Sequence, residues 1–108
     1  MTPASNEHSI EISLPSKIGF ERIAIASAAA LAKMGGFPAA RIEDLKSAVA
    51  EACINAMQHG NQGRSDAKVR VSLECKNNAL IVRVMDEGGA STRFPRCRLS
   101  MKLSSRKS

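Results

Sequence analysis

Aromatic side chains are nearly missing from this chain. Of its 108 residues only Phe20, Phe37 and Phe94 are aromatic, and Trp and Tyr are absent. The core must therefore be built from Ile, Val, Leu, Ala and Met. A reader of single-stranded nucleic acid that stacks bases on aromatic platforms is argued against. Cysteine is scarce as well: Cys53, Cys75 and Cys97 form no close pair. That odd, dispersed set argues against a disulfide framework and a zinc site, and points to a reducing cytoplasm. The start, MTPASNEHS, has neither the basic residues nor the apolar run of a secretory signal. The most apolar stretch, residues 23–32, is about half as long as a membrane span requires.

Acid is missing from one end. All ten Asp and Glu precede Ala90, where ten of the sixteen Lys and Arg also lie, so residues 1–89 carry no formal net charge. The net charge of +6 belongs entirely to residues 90–108, through Arg93, Arg96, Arg98, Lys102, Arg106 and Lys107. The basic pI thus describes the tail, and neither direct nucleic-acid binding nor a membrane surface is implied for the rest. At this length one small domain is expected.

What is present is regular. Ile10, Ile12 and Leu14 alternate with Ser9, Glu11 and Ser13, predicting a half-buried strand closed by Pro15. A helix is predicted over 20–34, with Phe20, Ile23, Ala24, Leu31 and Met34 at helical spacing and Gly35-Gly36 as its stop. Pro38 suits the first turn of a second helix running to His59, with Gly60 as a C-terminal cap. Two alternating runs follow, Val69 to Cys75 and Leu80 to Val84, joined by a hairpin turn at Lys76-Asn77-Asn78. Strand, helix, helix, strand, strand predicts an α+β fold: a two-layer sandwich of helices on a mostly antiparallel sheet.

On the second helix Ile42, Leu45, Val49, Ala52, Cys53 and Ala56 share an apolar face. Glu51 and Asn55 stand roughly opposite, one turn apart on one ridge, with His59 on the flank near Asn55. The ridge has two readings. It is either a solvated helix face or a functional edge, because a carboxylate and a carboxamide one turn apart can share a hydrated Mg²⁺ or position a hydroxyl nucleophile. Asn55 and His59 are also poorer helix formers than the Lys, Arg and Glu of an ordinary exposed face. Glycines after an acid, as in MDEGG at a strand end, are either a simple turn or a place where a ligand reaches the backbone.

Together, EACINAMQHGN (51–61) and VMDEGG (84–89) resemble the N box and first glycine box of the GHKL (histidine kinase-like) ATPases. Within that superfamily the chain looks most like the anti-sigma factor serine/threonine-protein kinases of bacteria, whose opening strand and two-helix layout it shares over residues 8–89. The resemblance implies a Bergerat (histidine kinase-like ATPase) fold, incomplete at the C-terminus, with ATP and Mg²⁺ as cofactors. It implies that Glu51 is the general base for a partner's serine and that Asn55 coordinates the Mg²⁺. By the same resemblance His59 lines the phosphate side, Asp86 accepts from the adenine amino group, and Gly88 and Gly89 let base and ribose lie against the chain. Arg22 matches an arginine that contacts the sigma factor and the anti-sigma antagonist in turn. The implied protein is a cytoplasmic anti-sigma regulatory factor with serine kinase chemistry, with homodimerisation an open option. The alternative is a non-catalytic protein-binding remnant of the same fold.

Beyond Gly89 the family would continue with a lid, a second glycine-rich box and a last helix, whereas the chain reads ASTRFPRCRLSMKLSSRKS. The expectation is a partial domain over 8–89, truncated after the first glycine box, followed by a basic tail over 90–108 that is disordered or frame-shifted.

Overall fold

The computed structural model describes residues 8–64, 66–76, 79–87 and 96–104. The alternating segment at the start forms β1 (His8–Pro15), an edge strand of the sheet. A bend with Gly19 at φ 114° then turns the chain into α1 (Glu21–Met34). The Glu21 side chain reaches back to accept the Gly19 N–H at 2.6 Å. The buried stripe of α1 is Ala24, Ala28, Leu31 and Ala32. This differs from the expected stripe, since Ile23 and Met34 lie 47% and 79% exposed. Small alanines on the inner face allow close packing, and the larger side chains are left facing water.

Gly35 donates to the carbonyls of Leu31 and Ala32, and Gly36 adopts φ 81°, which turns the chain. The buried ring of Phe37 then anchors the connection to α2 (Ala39–Asn55). Leu45, Val49, Ala52, Cys53 and Ala56 are buried as their spacing implies, with Ile42 packed at the margin.

The helix does not run unchanged to His59. After Asn55 it widens into a π-helical turn, Ala56–Gly60, in which the Asn61 N–H reaches the Ala56 carbonyl at 2.8 Å. Such turns insert an extra residue into the spiral and shift the faces that follow. Gly60 is also not a left-handed cap, because the positive-φ glycines among the described residues are Gly19, Gly36 and Gly63.

The chain returns as β2 (Lys68–Lys76), β3 (Ala79–Asp86) and β4 (Arg96–Ser104), giving an antiparallel sheet in the order β1-β2-β3-β4. Ile12 pairs with Val71 and Val71 with Val84, so one row of apolar residues runs across the strands. Val69, Val71, Leu73, Leu80, Val82 and Val84 are fully enclosed with the inner faces of α1 and α2. The two-layer α+β expectation therefore holds.

The expectation for residues 90–108 needs correction over 96–104, where the backbone forms a full strand against β3. The reason is visible in the residues. Cys97, Leu99, Met101 and Leu103 alternate with Arg98, Ser100, Lys102 and Ser104, a period-two pattern hidden behind a basic composition. Leu99 pairs with Val84 and Cys97 with Met85, so the register slips by one residue beside the end of β3. Irregularities of this kind concentrate near functional sites.

Candidate functional site

β3 alternates between buried and partly buried positions along its length. Leu80, Val82 and Val84 fill the core, and Asp86 continues the same row at the strand's end. An acid therefore occupies a core position, 1% exposed. The π-helical turn packs directly against it. A Cβ built on Gly60 would overlap the Asp86 carboxylate, and it would lie 2.9 Å from the Asp86 Cβ. Glycine is required at position 60 by this close approach, without any demand on φ.

The next residue completes the arrangement. Asn61 is 1% exposed, and its carboxamide joins three segments. Its Oδ1 accepts the Glu87 N–H at 2.8 Å, while Nδ2 donates to the Lys68 carbonyl at 3.0 Å and to Ser16 Oγ at 3.2 Å. The Glu87 carboxylate accepts the Lys68 N–H at 3.1 Å. Asn61 is not among the site residues expected from the sequence. Its only sequence signal is its position directly after the N-box glycine, and its partners lie 45, 7 and 26 residues away.

Glu51 and Asn55 are exposed one turn apart on α2, and Asn55 is the last α-helical residue. His59 is exposed on the π-helical turn, where a wheel drawn at 3.6 residues per turn no longer gives its direction. Asn55, His59 and Asp86 are thus gathered around one turn, with Glu51 a helical turn before it. Arg22 is exposed in the first turn of α1, beside exposed Ile23 and close in sequence to exposed Ile18. Gly88 and Gly89 lie outside the described residues. Cys53, enclosed beneath α2, has its thiol pKa pushed up to about 11, first by burial and then by the nearby charge of Glu21.

Among the described residues no group of three or more His, Cys, Asp or Glu could hold a metal ion. A site made wholly of protein ligands is therefore not formed there. Mg²⁺ does not need one, because it commonly takes one or two protein oxygens together with water and phosphate. The exposed Asn55 carboxamide can supply such an oxygen. The buried Asp86 carboxylate is an acceptor at the end of an apolar row, with Gly60 leaving no room for an intervening methyl group. Those features fit the amino edge of a purine, which donates hydrogen bonds and is flat and apolar on its faces.

A two-layer sandwich of helices on an antiparallel sheet, with an acid at a central strand's end and an Asn-bearing helix beside it, is consistent with the histidine kinase-like ATPase class of fold. The chain belongs to the histidine kinase-like ATPase domain family, whose model it matches over residues 15–102, a span that takes in most of β4. It is similar to the serine-protein kinase RsbW of Listeria innocua, at 34% identity over 85 residues, 79% of this chain and 54% of that protein. The serine-protein kinase RsbW of Bacillus pumilus is 36% identical over 83 residues, covering 75% of this chain and 51% of that protein. For Bacillus subtilis the same kinase is 33% identical over 84 residues, 78% and 52% of the two chains. The chain thus spans about half the length of the curated relatives it matches. No helix among the described residues is long and apolar enough to cross a membrane.

Proposed function

We propose that this chain is the nucleotide-binding part of a cytoplasmic anti-sigma regulatory factor that phosphorylates a serine of an anti-sigma antagonist. The observation that carries this reading is the buried Asp86 seated against Gly60 at the end of β3, beside the turn that follows Asn55. In this reading Asp86 accepts a hydrogen bond from the adenine amino group, and Gly88 and Gly89 accommodate base and ribose. Asn55 offers its carboxamide oxygen to Mg²⁺, and His59 lines the phosphate side. Glu51 holds the proton drawn from the partner's serine hydroxyl. Mg·ATP, when bound, supplies the phosphoryl group and the neutralising charge, so the chain's work is positioning and proton acceptance. Arg22 serves the partner surface, engaging the sigma factor or the antagonist.

The test is calorimetric titration of the full chain with Mg·ADP and Mg·ATP. Binding that weakens about tenfold or more in Asp86→Ala is expected, since a specific hydrogen bond in a desolvated site is lost. Asn55→Ala should chiefly reduce the dependence of binding on Mg²⁺. A folded wild-type chain that binds neither nucleotide refutes the reading.

A second reading, a non-catalytic partner-binding module, is favoured by a separate observation. Arg22 lies among exposed apolar side chains at the start of α1, with Ile18 56% and Ile23 47% exposed. That surface needs no nucleotide. Sigma-factor binding that is lost in Arg22→Ala and indifferent to ADP would support it.

A further inference from the structure

We infer that Asn61 is a positioning residue for nucleotide recognition, setting the Asp86 carboxylate through the backbone of Glu87. The inference rests on the reading of Asp86 as the group that meets the base. It begins with the orientation of the Asn61 amide, which the chemistry of its partners decides. The Glu87 N–H can only donate and the Lys68 carbonyl can only accept, so Oδ1 must face Glu87 and Nδ2 must face Lys68. Ser16 Oγ takes the second amide hydrogen. One buried side chain thereby joins the end of β1, the start of β2 and the residue immediately after Asp86.

Position relative to Asp86 gives the arrangement its consequence. Gly60 packs against the Asp86 carboxylate, and the side chain of the adjoining Asn61 holds the next peptide N–H. The Gly60-Asn61 dipeptide thus fixes Asp86 from two sides, by steric contact and by a hydrogen bond. Glu87 is held at both ends as well, by its N–H on Asn61 and its carboxylate on the Lys68 N–H. It is a strut for the strand's end. A carboxylate that discriminates between purines must be held closely in place, because selectivity between an amino and an oxo group depends on donor and acceptor meeting in line. Loosening the strand's exit should therefore degrade selectivity more than affinity.

The experiment compares ADP with inosine diphosphate, in which the 6-amino donor is replaced by an oxo acceptor that repels Asp86. Calorimetry on the full chain gives the ratio of affinities for wild type, Asn61→Ala and Ser16→Ala. Each is measured at a temperature where far-UV circular dichroism shows it folded. Leu31→Ala, a core change on α1 far from the strand's end in sequence, serves as the control for general destabilisation. The preference for ADP should shrink by about tenfold or more in Asn61→Ala and by about twofold or more in Ser16→Ala, and it should be retained in Leu31→Ala. If Asn61→Ala does not fold, Ser16→Ala decides alone, because it trims one bond and leaves no backbone group without a partner. A wild-type preference preserved in the folded variants overturns the positioning role and leaves Asn61 a purely structural residue. A wild-type chain that binds neither nucleotide overturns the nucleotide reading first, and this inference with it.

Discussion

Replacing Gly60 by alanine adds one methyl group and tests the contact on which the candidate site depends. Elsewhere in a helical turn the change would help, since alanine is favoured over glycine by about 0.5–1 kcal/mol. Here the three nearest heavy atoms to the new Cβ all belong to the Asp86 side chain, so the methyl and the carboxylate cannot share the space. Overpacking of this kind costs about 1–3 kcal/mol. Displacing a buried carboxylate from the polar interaction it makes adds about 1–3 kcal/mol. The net expectation is a loss of about 3 kcal/mol, which for a domain of this size lowers Tm by about 10–20 °C. The chain has no Trp or Tyr, so urea unfolding is best followed by far-UV circular dichroism. The informative comparison repeats Gly60→Ala in an Asp86→Gly background, where the obstructing atoms are gone. There it should be neutral or stabilising by up to about 1 kcal/mol. Equal destabilisation in the two backgrounds would refute the contact as the cause.

Three further outcomes are expected. Asn61→Ala leaves the partly buried Glu87 N–H and Lys68 carbonyl without the amide, and should lower stability by about 1–3 kcal/mol; a urea midpoint within error of wild type would contradict this. Cys53 has a folded-state pKa of about 11 against an ordinary value of 9.0, so between those values the unfolded chain releases a proton that the folded chain keeps. Stability should therefore be intact below about pH 9 and fall by up to about 3 kcal/mol as pH rises towards 11. Cys53→Ala should flatten that slope, and an unchanged slope would rule the thiol out as its source. Removing residues 96–108 deletes β4 and exposes the edge of β3, which should produce a less stable chain that self-associates. Sedimentation showing a monomer with the wild-type urea midpoint would count against that outcome.

The sequence by itself determined the elements whose causes are local. The alternation of Ile10, Ile12 and Leu14 specified a one-faced strand, and the spacing of Leu45, Val49, Ala52 and Cys53 specified the buried side of α2, because each pattern is the imprint of a single apolar surface. β4 was equally legible in the alternation of Cys97, Leu99, Met101 and Leu103, which lies within a segment of basic composition. The resemblance to histidine kinase-like ATPases also rested on short contiguous motifs, and the family match bears it out. Tertiary structure alone decided the rest. No local rule turns α2 into a π-helical turn at Ala56, or shows that Gly60 is small to make room for Asp86 and not to cap a helix. Nor does any local pattern distinguish Asn61 from an ordinary loop asparagine, since its hydrogen-bond partners are brought to it from 45, 7 and 26 residues away. Periodicity records which face of an element meets the core, whereas close approach and buried hydrogen bonds exist only once distant segments have been brought together.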